Sequence, residues 1–406
     1  MAWILLCFDV LPTFETRNGT HAMLHQNSVF HDLLKYLPWH RFEQSVEKYG
    51  ADTLSRTLST KRQFIALLFG QLGGASSLRE IVTGLQSHES RLYHLGAAPV
   101  KRSTLADANM QRPWQIFGEV FAALLDQAHR GLRRATADAV RLIDSTGVRL
   151  SSLSQDWATF STDVYGAKAH IIYDPQADRP VYFAVTPAKV NDITAAKAMP
   201  IEAGATYVYD LGYYDYGWWA DLDDAGCRFV TRLKKNTPLT VVHENRVPQH
   251  GNILSDRIGH LPQRLAHARR NPLEVPVREV RVVIETGKVL RIVTNDLDAS
   301  AQEIADLYEQ RWQIELFFRW VKQTLRIKHF LGTSENAVRI QIAVALIAFL
   351  LLRLAQAAQK AVRRPLDFAR LVRSNLMHKR RLDRLLEPLQ PIQINPNQLD
   401  LGLYFP

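Results

Sequence analysis

The sequence predicts a mixed α/β fold in which a sheet is built between two groups of helices. Three observations lead to this prediction. Residues 24 to about 135 have the apolar spacing of helices, residues 139–235 contain five short runs rich in β-branched and aromatic residues, and helical spacing returns after Asn295. Because a helical segment lies between the third and fourth runs, we expect a mixed sheet with crossover helices.

Capping signals mark the helices that come first. A Gly-Gly break divides residues 59–86 into two helices, and Ser77 with Glu80 forms a capping box at the start of the second. Residues 100–109 predict another capped start, and a long amphipathic helix follows. Short basic helices around glycine turns are typical of a DNA-reading module, and a plain helical bundle fits the pattern equally well. The basic residues concerned are Lys101, Arg102 and Arg112.

The strand-like runs cover residues 139–153, 167–174, 179–189, 205–214 and 227–235. Turn signals separate them, and the segment "NDITAAKAMPIEAG" between the third and fourth predicts a crossover helix. Residues 236–295 break this rhythm because they are polar and proline-bearing, and they end in a predicted hairpin around Thr286-Gly287-Lys288. We therefore expect a β-rich insertion at this point.

The last part of the chain is helical again. Ser300 and Glu303 form a capping box, and we expect one helix from there to Arg326, followed by a second helix over residues 335–362. The second contains an apolar run at residues 342–352, which is too short to span a bilayer. It is interpreted as a buried helix, and no membrane partner is expected.

Composition places the chain among soluble globular proteins with two or three cores. It has 406 residues, of which 47% are hydrophobic and 22% charged. The formal net charge is +10, and residues 301–406 carry 16 Lys/Arg against 9 Asp/Glu. This localised excess fits a polyanion such as DNA or RNA, while an ordinary basic protein would have the same composition. Two cysteines are too few for a disulfide framework or a zinc site and favour a reducing cytosol.

The segment "YEQRWQIELFFRWVKQ" carries a polar stripe. Its members are Tyr308, Arg311, Glu315 and Lys322, with Arg319 and Arg326 on the adjoining edge. On a continuous helix the first four fall within an arc of roughly 60°, and apolar residues gather on the opposite side. One carboxylate among cations and a phenol would hold a metal ion, with phosphates along the rest of the stripe. A solvated helix face with i,i+4 pairs is the competing interpretation.

A single carboxylate cannot perform phosphoryl chemistry, so partner acids are required. Asp144 follows a buried run and precedes the predicted turn Ser145-Thr146-Gly147, and Asp210 ends a second buried run. Both lie where a strand gives way to a loop, the usual position of site residues on an α/β sheet. Together with Glu315 they could hold two divalent ions about 4 Å apart, and Mg²⁺ prefers such oxygen ligands. Other acids, including Asp192, are interpreted as turn or surface residues.

The Tyr-x2-Arg-x3-Glu-x6-Lys spacing of the polar stripe resembles the Y-R-E-K signature of DDE transposases of bacterial insertion sequences, in the insertion-sequence-four-like family. The segments "IDSTG" around Asp144 and "YDLGY" around Asp210 are similar to the two aspartate motifs of that family. The blocks "TNDL", "RWQIE" and "FLGTSENAV" also resemble it, and the helical part with "STLADAN" is similar to a domain found in one branch. The resemblance covers residues 30–365.

This resemblance implies a ribonuclease H-like catalytic core, interrupted by a β-rich insertion, preceded by a helical domain and followed by C-terminal helices. It implies Asp144, Asp210 and Glu315 as catalytic ligands of two Mg²⁺ ions, for which Mn²⁺ is expected to substitute. It also implies phosphate contacts for Tyr308, Arg311 and Lys322. The adjoining Arg319 and Arg326 and the ring of Trp312 are expected to bind DNA as well. A flipped base would be held by Trp218, Trp219 or Trp312, unless they pack in the core. Lys168 lies in a family-like block without an assigned role.

The domain boundaries follow from these patterns and the resemblance. Residues 1–22 are interpreted as an unstructured upstream extension. The other parts are a helical DNA-binding domain (23–135), the catalytic core (136–235 and 296–365), the insertion (236–295) and a basic C-terminal tail (366–406).

The implied activity is cut-and-paste DNA transposition, in which DNA is cleaved and its strands are transferred at the ends of the element. The partners would be double-stranded DNA, as terminal inverted repeats and target, and a second copy of the chain in a dimer. The implied location is the bacterial cytoplasm, at the nucleoid. Two alternatives are a structure-selective DNA nuclease without strand transfer and a non-catalytic DNA-binding protein of transposase descent.

Overall fold

The computed structural model describes residues 27–53, 55–129, 139–247, 250–264, 269–325, 330–359 and 361–387. The predictions made for residues 1–22, for Arg326 and for the end of the C-terminal tail lie outside the described residues.

Helices precede the sheet, as predicted. They are α1 (Val29–Leu34), α2 (Trp39–Lys48), α3 (Thr60–Gly73), α4 (Leu78–Ser87), α5 (Glu89–Leu92), α6 (Arg102–Gln111) and α7 (Gln115–His129). Ser77 caps α4 by accepting a hydrogen bond from the Glu80 N–H at 3.1 Å, and the Glu80 carboxylate accepts one from the Ser76 N–H at 2.8 Å. The predicted cap of α6 is wrong, because Lys101 occupies that position without a side-chain hydrogen bond.

One sheet of ten strands forms the centre of the described structure. Its strands are β1 (Val140–Arg149), β2 (Thr159–Ser161), β3 (Val164–Asp174), β4 (Arg179–Pro187), β5 (Thr206–Tyr209), β6 (Arg228–Arg232), β7 (Thr240–Asn245), β8 (Ile253–His260), β9 (Val277–Val283) and β10 (Val289–Thr294). The five predicted runs correspond to β1, β3, β4, β5 and β6. The short, exposed β2 was not predicted.

The strand order identifies the architecture. Strands β4, β3 and β1 are antiparallel neighbours, and β5 and β6 then continue the sheet in parallel with β1. This is the order of a ribonuclease H-like core. Short helices lie in the crossovers and in the β1–β2 connection: α8 (Gln155–Ala158), α9 (Asp192–Ala196) and α10 (Tyr216–Asp224). The predicted mixed α/β fold is confirmed.

The segment predicted as an insertion extends the same sheet rather than forming a second one. Beyond β6 the order continues β10, β9, β8 and β7, all antiparallel. The predicted hairpin joins β9 to β10, and Gly287 in its turn has a φ of +76°, which favours glycine. The insertion therefore widens the sheet on the side away from β1.

In the described part of the chain, four α-helices follow the sheet. They are α11 (Ala301–Glu309), α12 (Trp312–Thr324), α13 (Glu335–Ala357) and α14 (Pro365–Asn375). Ser300 caps α11 by accepting from the Glu303 N–H at 3.1 Å, as predicted. The single helix predicted up to Arg326 is wrong, because it is interrupted after α11. There the Arg311 N–H donates to the Tyr308 carbonyl at 3.2 Å, so the chain tightens into an i→i+3 turn.

The helix α13 joins the N-terminal helices to the catalytic part. It packs against α3, α6, α7 and α14, and its Phe349 contacts Phe317 of α12 edge to face, with ring centroids 5.1 Å apart. Among the described residues it is the one helix long and apolar enough to cross a membrane, but 83% of its apolar stretch is buried inside the protein. The prediction of a buried core helix is confirmed.

A buried ion pair ties the insertion to the connection that leads into α11. Arg278 of β9 binds Asp256 of β8 through two hydrogen bonds of 2.8 and 2.7 Å, and both side chains are at most 5% exposed. The Arg278 guanidinium also donates to the carbonyls of Leu297 and Ala299. This pair therefore helps to fix the connection from which α11 begins.

We expect Arg278→Met to destabilise the protein strongly, by about 3–5 kcal/mol, because Asp256 would remain buried without its partner. Denaturant unfolding would measure the loss. The double variant Arg278→Met/Asp256→Leu should recover much of it, since both charges are gone. Arg270→Met, which breaks the exposed Arg270–Glu274 pair, is the control and should change little. Equal effects of the two arginine variants would contradict this account.

Candidate active site

Asp144 and Asp210 lie side by side at the point where β5 ends next to β1. The parallel register of β1 and β5 pairs Ile143 with Tyr209, and the two aspartates are the next residues on their chains. Neighbouring strands are about 4.8 Å apart, so the two carboxylates leave the sheet at adjacent positions. The Asp144 Oδ1 accepts from the Ser145 N–H at 2.7 Å, and the Asp210 Oδ1 accepts from the Gly212 N–H at 2.8 Å.

The predicted turn after Asp144 is wrong. Residues 145–147 instead continue β1, in antiparallel register with His170, Ala169 and Lys168 of β3. The sequence could not reveal this, because Ser-Thr-Gly is a turn-like tripeptide and the pairing with β3 is a long-range contact. Asp144 is consequently held within a continuous strand at the point where β5 ends beside it.

Glu315 approaches Asp144 from the helix layer. The helix α12 packs against β1, and both acids line one cleft of about 370 Å³. Its other lining residues are Ser145, Thr146, Phe318, Arg319, Lys322 and Gln323. The structure therefore brings together Asp144, Glu315, Lys322 and Arg319, which are separated by up to 178 positions in the chain.

The surroundings of Asp144 shift its pKa. Burial raises the pKa of Asp144 to about 6, and the nearby charges of Asp210 and Glu315 act in the same direction. The Ser145 N–H and the Arg311 guanidinium oppose this rise in the pKa of Asp144. A cation bound between the acids would compensate the same repulsion. Their carboxylate oxygens are the donors that hard divalent ions prefer, so the residues present fit such an ion.

Glu315 forms an ion pair with Arg311 in this structure. The Arg311 Nη1 and Glu315 Oε1 are 2.5 Å apart, and the guanidinium lies over the rings of Tyr308 and Trp312, at 5.8 and 5.5 Å from their centroids. In the described ranges, no three acidic, histidine or cysteine side chains are arranged to hold one ion.

Tyr308 does not lie on an exposed polar face. Its side chain is buried, and burial raises the pKa of its phenol, while Arg311 and Arg232 lower that pKa and Asp210 raises it. Arg232, the last residue of β6, is thus a cation near the site that sequence reasoning missed. The available signal was its position at the end of a strand parallel to β5, at the same sheet edge as Asp210.

The three tryptophans considered for base binding differ in their exposure to solvent. Trp218 and Trp219 are buried in α10 behind Asp210, where Trp218 packs 4.8 Å from the Tyr209 ring and Trp219 packs 5.1 Å from the Phe229 ring. Both are core residues and cannot receive a base in this arrangement. Trp312 at the start of α12 is 55% exposed and lies next to Arg311.

Asp192 was interpreted from sequence as a turn or surface residue, and this interpretation is incomplete. It begins α9, but its side chain is 23% exposed and accepts a hydrogen bond from the Ser145 hydroxyl at 2.9 Å. Ser145 is the neighbour of Asp144. No local pattern in the sequence indicates this contact, because it joins residues 47 positions apart.

Comparisons with known proteins show the family to which the chain belongs. Residues 135–351 match the family described as "Transposase DDE domain", and residues 25–98 match a domain of unknown function, DUF4372. A Sinorhizobium fredii protein named as a transposase, y4zB, is 40% identical over 284 residues, which cover 70% of this chain and 80% of that protein.

Two further likenesses were found. A Geobacillus stearothermophilus protein named as a transposase for insertion sequence element IS5377 is 30% identical over 255 residues, covering 62% of this chain and 66% of that protein. Among solved structures, a piggyBac transposase synaptic complex with hairpin DNA gives a TM-score of 0.47 at 10% identity, covering 89% of this chain and 83% of the other. Because the DDE match spans more than half of the residues and the y4zB similarity extends over most of both proteins, this chain belongs to the DDE transposases.

Proposed function

We propose that this transposase cleaves DNA at the ends of its own element and joins them to a target, with Asp144, Asp210 and Glu315 as its catalytic carboxylates. The observation that carries the proposal is their arrangement: Asp144 within β1 lies beside Asp210 at the end of β5, and Glu315 opens into the cleft that Asp144 lines. Cleavage and strand transfer are the general activity of DDE transposases.

Asp144, Asp210 and Glu315 would hold two Mg²⁺ ions, and Mn²⁺ would substitute because it accepts the same oxygen ligands. When bound, such ions lower the pKa of an attacking water or 3′-hydroxyl and stabilise the leaving oxygen. The chain's own contribution would be to fix Asp144 within β1, Asp210 at the end of β5 and Glu315 on α12, and to shield Asp144 from bulk water. Arg311 would hold Glu315 until the acid is needed at the metal.

The cations along α12 would bind the DNA backbone. Arg319 and Lys322 line the cleft with Glu315, one and two helical turns further along α12, so a phosphate chain in the cleft would pass the acids and then these cations. Tyr308, being buried, would act by supporting Arg311 rather than by presenting its ring to solvent. Exposed Trp312 is the side chain placed to stack on an unpaired base.

The N-terminal helices would supply a second DNA contact. Lys101 and Arg102 are exposed at the start of α6. Arg112, the third cation considered from sequence, is 8% exposed and donates to Gln63 at 3.0 Å, so it supports the helical core instead. We propose this part of the chain as a DNA-binding domain, and removing both exposed charges at α6 would test it.

The remaining proposals concern assembly and location. We propose that the DNA partners are the terminal inverted repeats and the target, that a dimer pairs the two ends, and that the protein works at the nucleoid in the bacterial cytoplasm. Size measurement of the protein with and without end-containing DNA would test the dimer. A monomeric complex carrying both ends would contradict it.

The activity is tested by incubating the protein with Mg²⁺ and DNA that contains both ends of its element. The expected products are nicked ends and joined strands. Nicking without joining would favour a structure-selective nuclease. Salt-sensitive binding without any Mg²⁺-dependent cleavage would favour a non-catalytic DNA-binding protein. Full cleavage by Asp144→Ala would contradict the proposed site.

We expect Lys322→Ala to weaken binding of end DNA and to flatten its salt dependence. Each phosphate contact contributes about 0.9 to the slope of log affinity against log salt, so the slope should fall by about 1. Binding titrations at several salt concentrations would measure this. The matched control is Lys288→Ala, at the exposed tip of the β9–β10 hairpin, which should leave the slope unchanged. An unchanged slope for Lys322→Ala would contradict the phosphate contact.

A further inference from the structure

Lys168 and Asp192 form an ion pair beside the active site that the proposed chemistry does not use. The Lys168 Nζ lies 3.2 Å from the Asp192 Oδ1 and donates to the Val190 carbonyl at 3.0 Å. Both side chains are 23% exposed, so the pair is largely withdrawn from solvent. Solvent screens a partly buried ion pair less than an exposed one, so the effect of this pair depends on the groups around it.

The pair is connected to Asp144 through Ser145. The Asp192 Oδ1 accepts from the Ser145 hydroxyl at 2.9 Å, and the Ser145 N–H donates to the Asp144 Oδ1 at 2.7 Å. Successive side chains of a strand point to opposite faces. The Ser145 hydroxyl therefore points towards Asp192, and Asp144 points to the opposite face, where α12 and Glu315 lie. Ser145 itself also lines the cleft.

The pair is connected to Asp210 through Gly212. A Cβ placed on Gly212 would lie 3.0 Å from the Asp210 Oδ1 and 3.3 Å from the Asp192 Oδ2, so the two carboxylates flank this one glycine. The Gly212 N–H also donates to the Asp210 Oδ1 at 2.8 Å. Asp192 thus binds the Ser145 side chain on β1 and lies close to Gly212 in the turn after Asp210.

Lys168 also balances the negative charge of Asp192. Asp192 adds a carboxylate close to Asp210. Burial raises the pKa of the Tyr213 phenol, and the charges of Asp192, Asp144 and Asp210 act in the same direction. His170, whose Nδ1 is 3.7 Å from the Asp192 Oδ1, is buried, and burial lowers its pKa to about 4. At neutral pH the imidazole is therefore uncharged, and Lys168 supplies the compensating cation.

We propose that Asp192 and Lys168 are positioning residues for the catalytic aspartates, an inference that rests on the function proposed above. Asp192 fixes the end of β1 through Ser145 and the turn after Asp210 through Gly212. Lys168 neutralises Asp192, so that it serves as a hydrogen-bond acceptor without adding to the repulsion between Asp144 and Asp210. Neither residue touches DNA in this account.

Four variants test the proposal: Lys168→Met, Asp192→Asn, the double variant with both changes, and Lys168→Arg. The readouts are the single-turnover rate of end cleavage at saturating DNA, the dissociation constant for end DNA without metal ion, and the shift in Tm that Mn²⁺ causes. Temperatures are kept well below each Tm. Lys197→Met, which breaks the Lys197–Asp215 pair on the same part of the chain, is the matched control.

Lys168→Met should slow cleavage by about tenfold or more, the range expected for residues that orient metal-ligating groups. It should also reduce the Mn²⁺-induced shift in Tm and leave DNA affinity unchanged. The double variant should cleave faster than Lys168→Met, because the amide introduced by Asp192→Asn keeps the acceptor for Ser145 without an uncompensated charge. Such coupling is what a double-mutant cycle measures. Lys168→Arg should reduce the cleavage rate less than Lys168→Met does.

The outcomes separate the two levels of inference. If the wild type fails to cleave or join end DNA, the proposed function is wrong. The effect of the variants on the Mn²⁺-induced shift in Tm then tests the positioning role by itself. If the wild type cleaves while Lys168→Met and Asp192→Asn cleave at the wild-type rate, the positioning role is overturned. It is also overturned if Lys168→Met slows cleavage only as much as Lys197→Met does, or if the two single effects add without coupling, since both results describe ordinary structural support.

Discussion

Asp144→Asn is expected to abolish DNA cleavage while leaving the fold at least as stable as before. The amide keeps an oxygen to accept from the Ser145 N–H but removes the charge that would hold a metal ion. Loss of a direct ligand should cost more than the roughly 100-fold that the loss of an outer hydrogen-bond partner costs at metal sites. End cleavage followed on denaturing gels would measure the effect.

The stability arm of this prediction follows from the pKa of Asp144. Folding disfavours the charged form of an acid whose pKa is higher in the folded than in the unfolded state. Such an acid therefore lowers the free energy of unfolding at pH values above its folded-state pKa. Because the pKa of Asp144 is raised to about 6, the charged carboxylate costs stability at pH 7 and above, and the neutral amide removes this cost. Without metal ions, the Tm of the variant at pH 7.5 should equal or exceed that of the wild type.

The control for Asp144→Asn is Asp163→Asn. Asp163 is exposed in the β2–β3 turn with a φ of +58°, a conformation that asparagine also adopts readily. This control should change neither cleavage nor Tm. Wild-type cleavage by Asp144→Asn would remove Asp144 from the catalytic site, whereas a collapse of its Tm would mean that the charge is needed for folding.

Glu315→Gln is the second change with a very large expected effect. Cleavage should fall to the level of Asp144→Asn, because the third carboxylate is lost from the cleft. DNA affinity should be retained or rise, since one negative charge disappears and Arg311 is released from its 2.5 Å ion pair. Gel assays of cleavage and binding titrations in the absence of metal ions would measure the two effects separately.

The matched control for Glu315→Gln is Glu335→Gln in α13. Glu335 pairs with Arg339 four residues later, just as Arg311 pairs with Glu315 four residues later, but it does not line the cleft. The control should therefore show the same small loss of helix stability and normal cleavage. Normal cleavage by Glu315→Gln would show that the third ligand lies elsewhere in the chain.

Local patterns were enough to predict the elements that carry the site. The β-branched runs located β1, β3, β4, β5 and β6, since residues in half-buried strands leave a periodic trace in the sequence. Ser77 and Ser300 marked the beginnings of α4 and α11, because a capping hydrogen bond involves residues only three apart. The acids at positions 144 and 210 stood out as the polar residues that end two apolar runs.

Patterns in the helical stripe were less reliable. The projection from Tyr308 to Lys322 assumed one continuous helix, but the i→i+3 turn at Arg311 divides it, and the Tyr308 side chain is buried in the core. Neither proline nor glycine marks this break. It accompanies the placement of Arg311 over two rings and against Glu315.

The sequence by itself determined the α/β class, the order of the elements, the resemblance to DDE transposases and the identity of the three candidate acids. Only the tertiary structure decided that Asp144 and Asp210 are neighbours, that Trp218 and Trp219 are core while Trp312 is exposed, and that Lys168 and Asp192 form an ion pair. The physical reason is the range of the interactions. Periodicity and capping act within a few residues, whereas strand pairing and burial join residues that the chain places far apart.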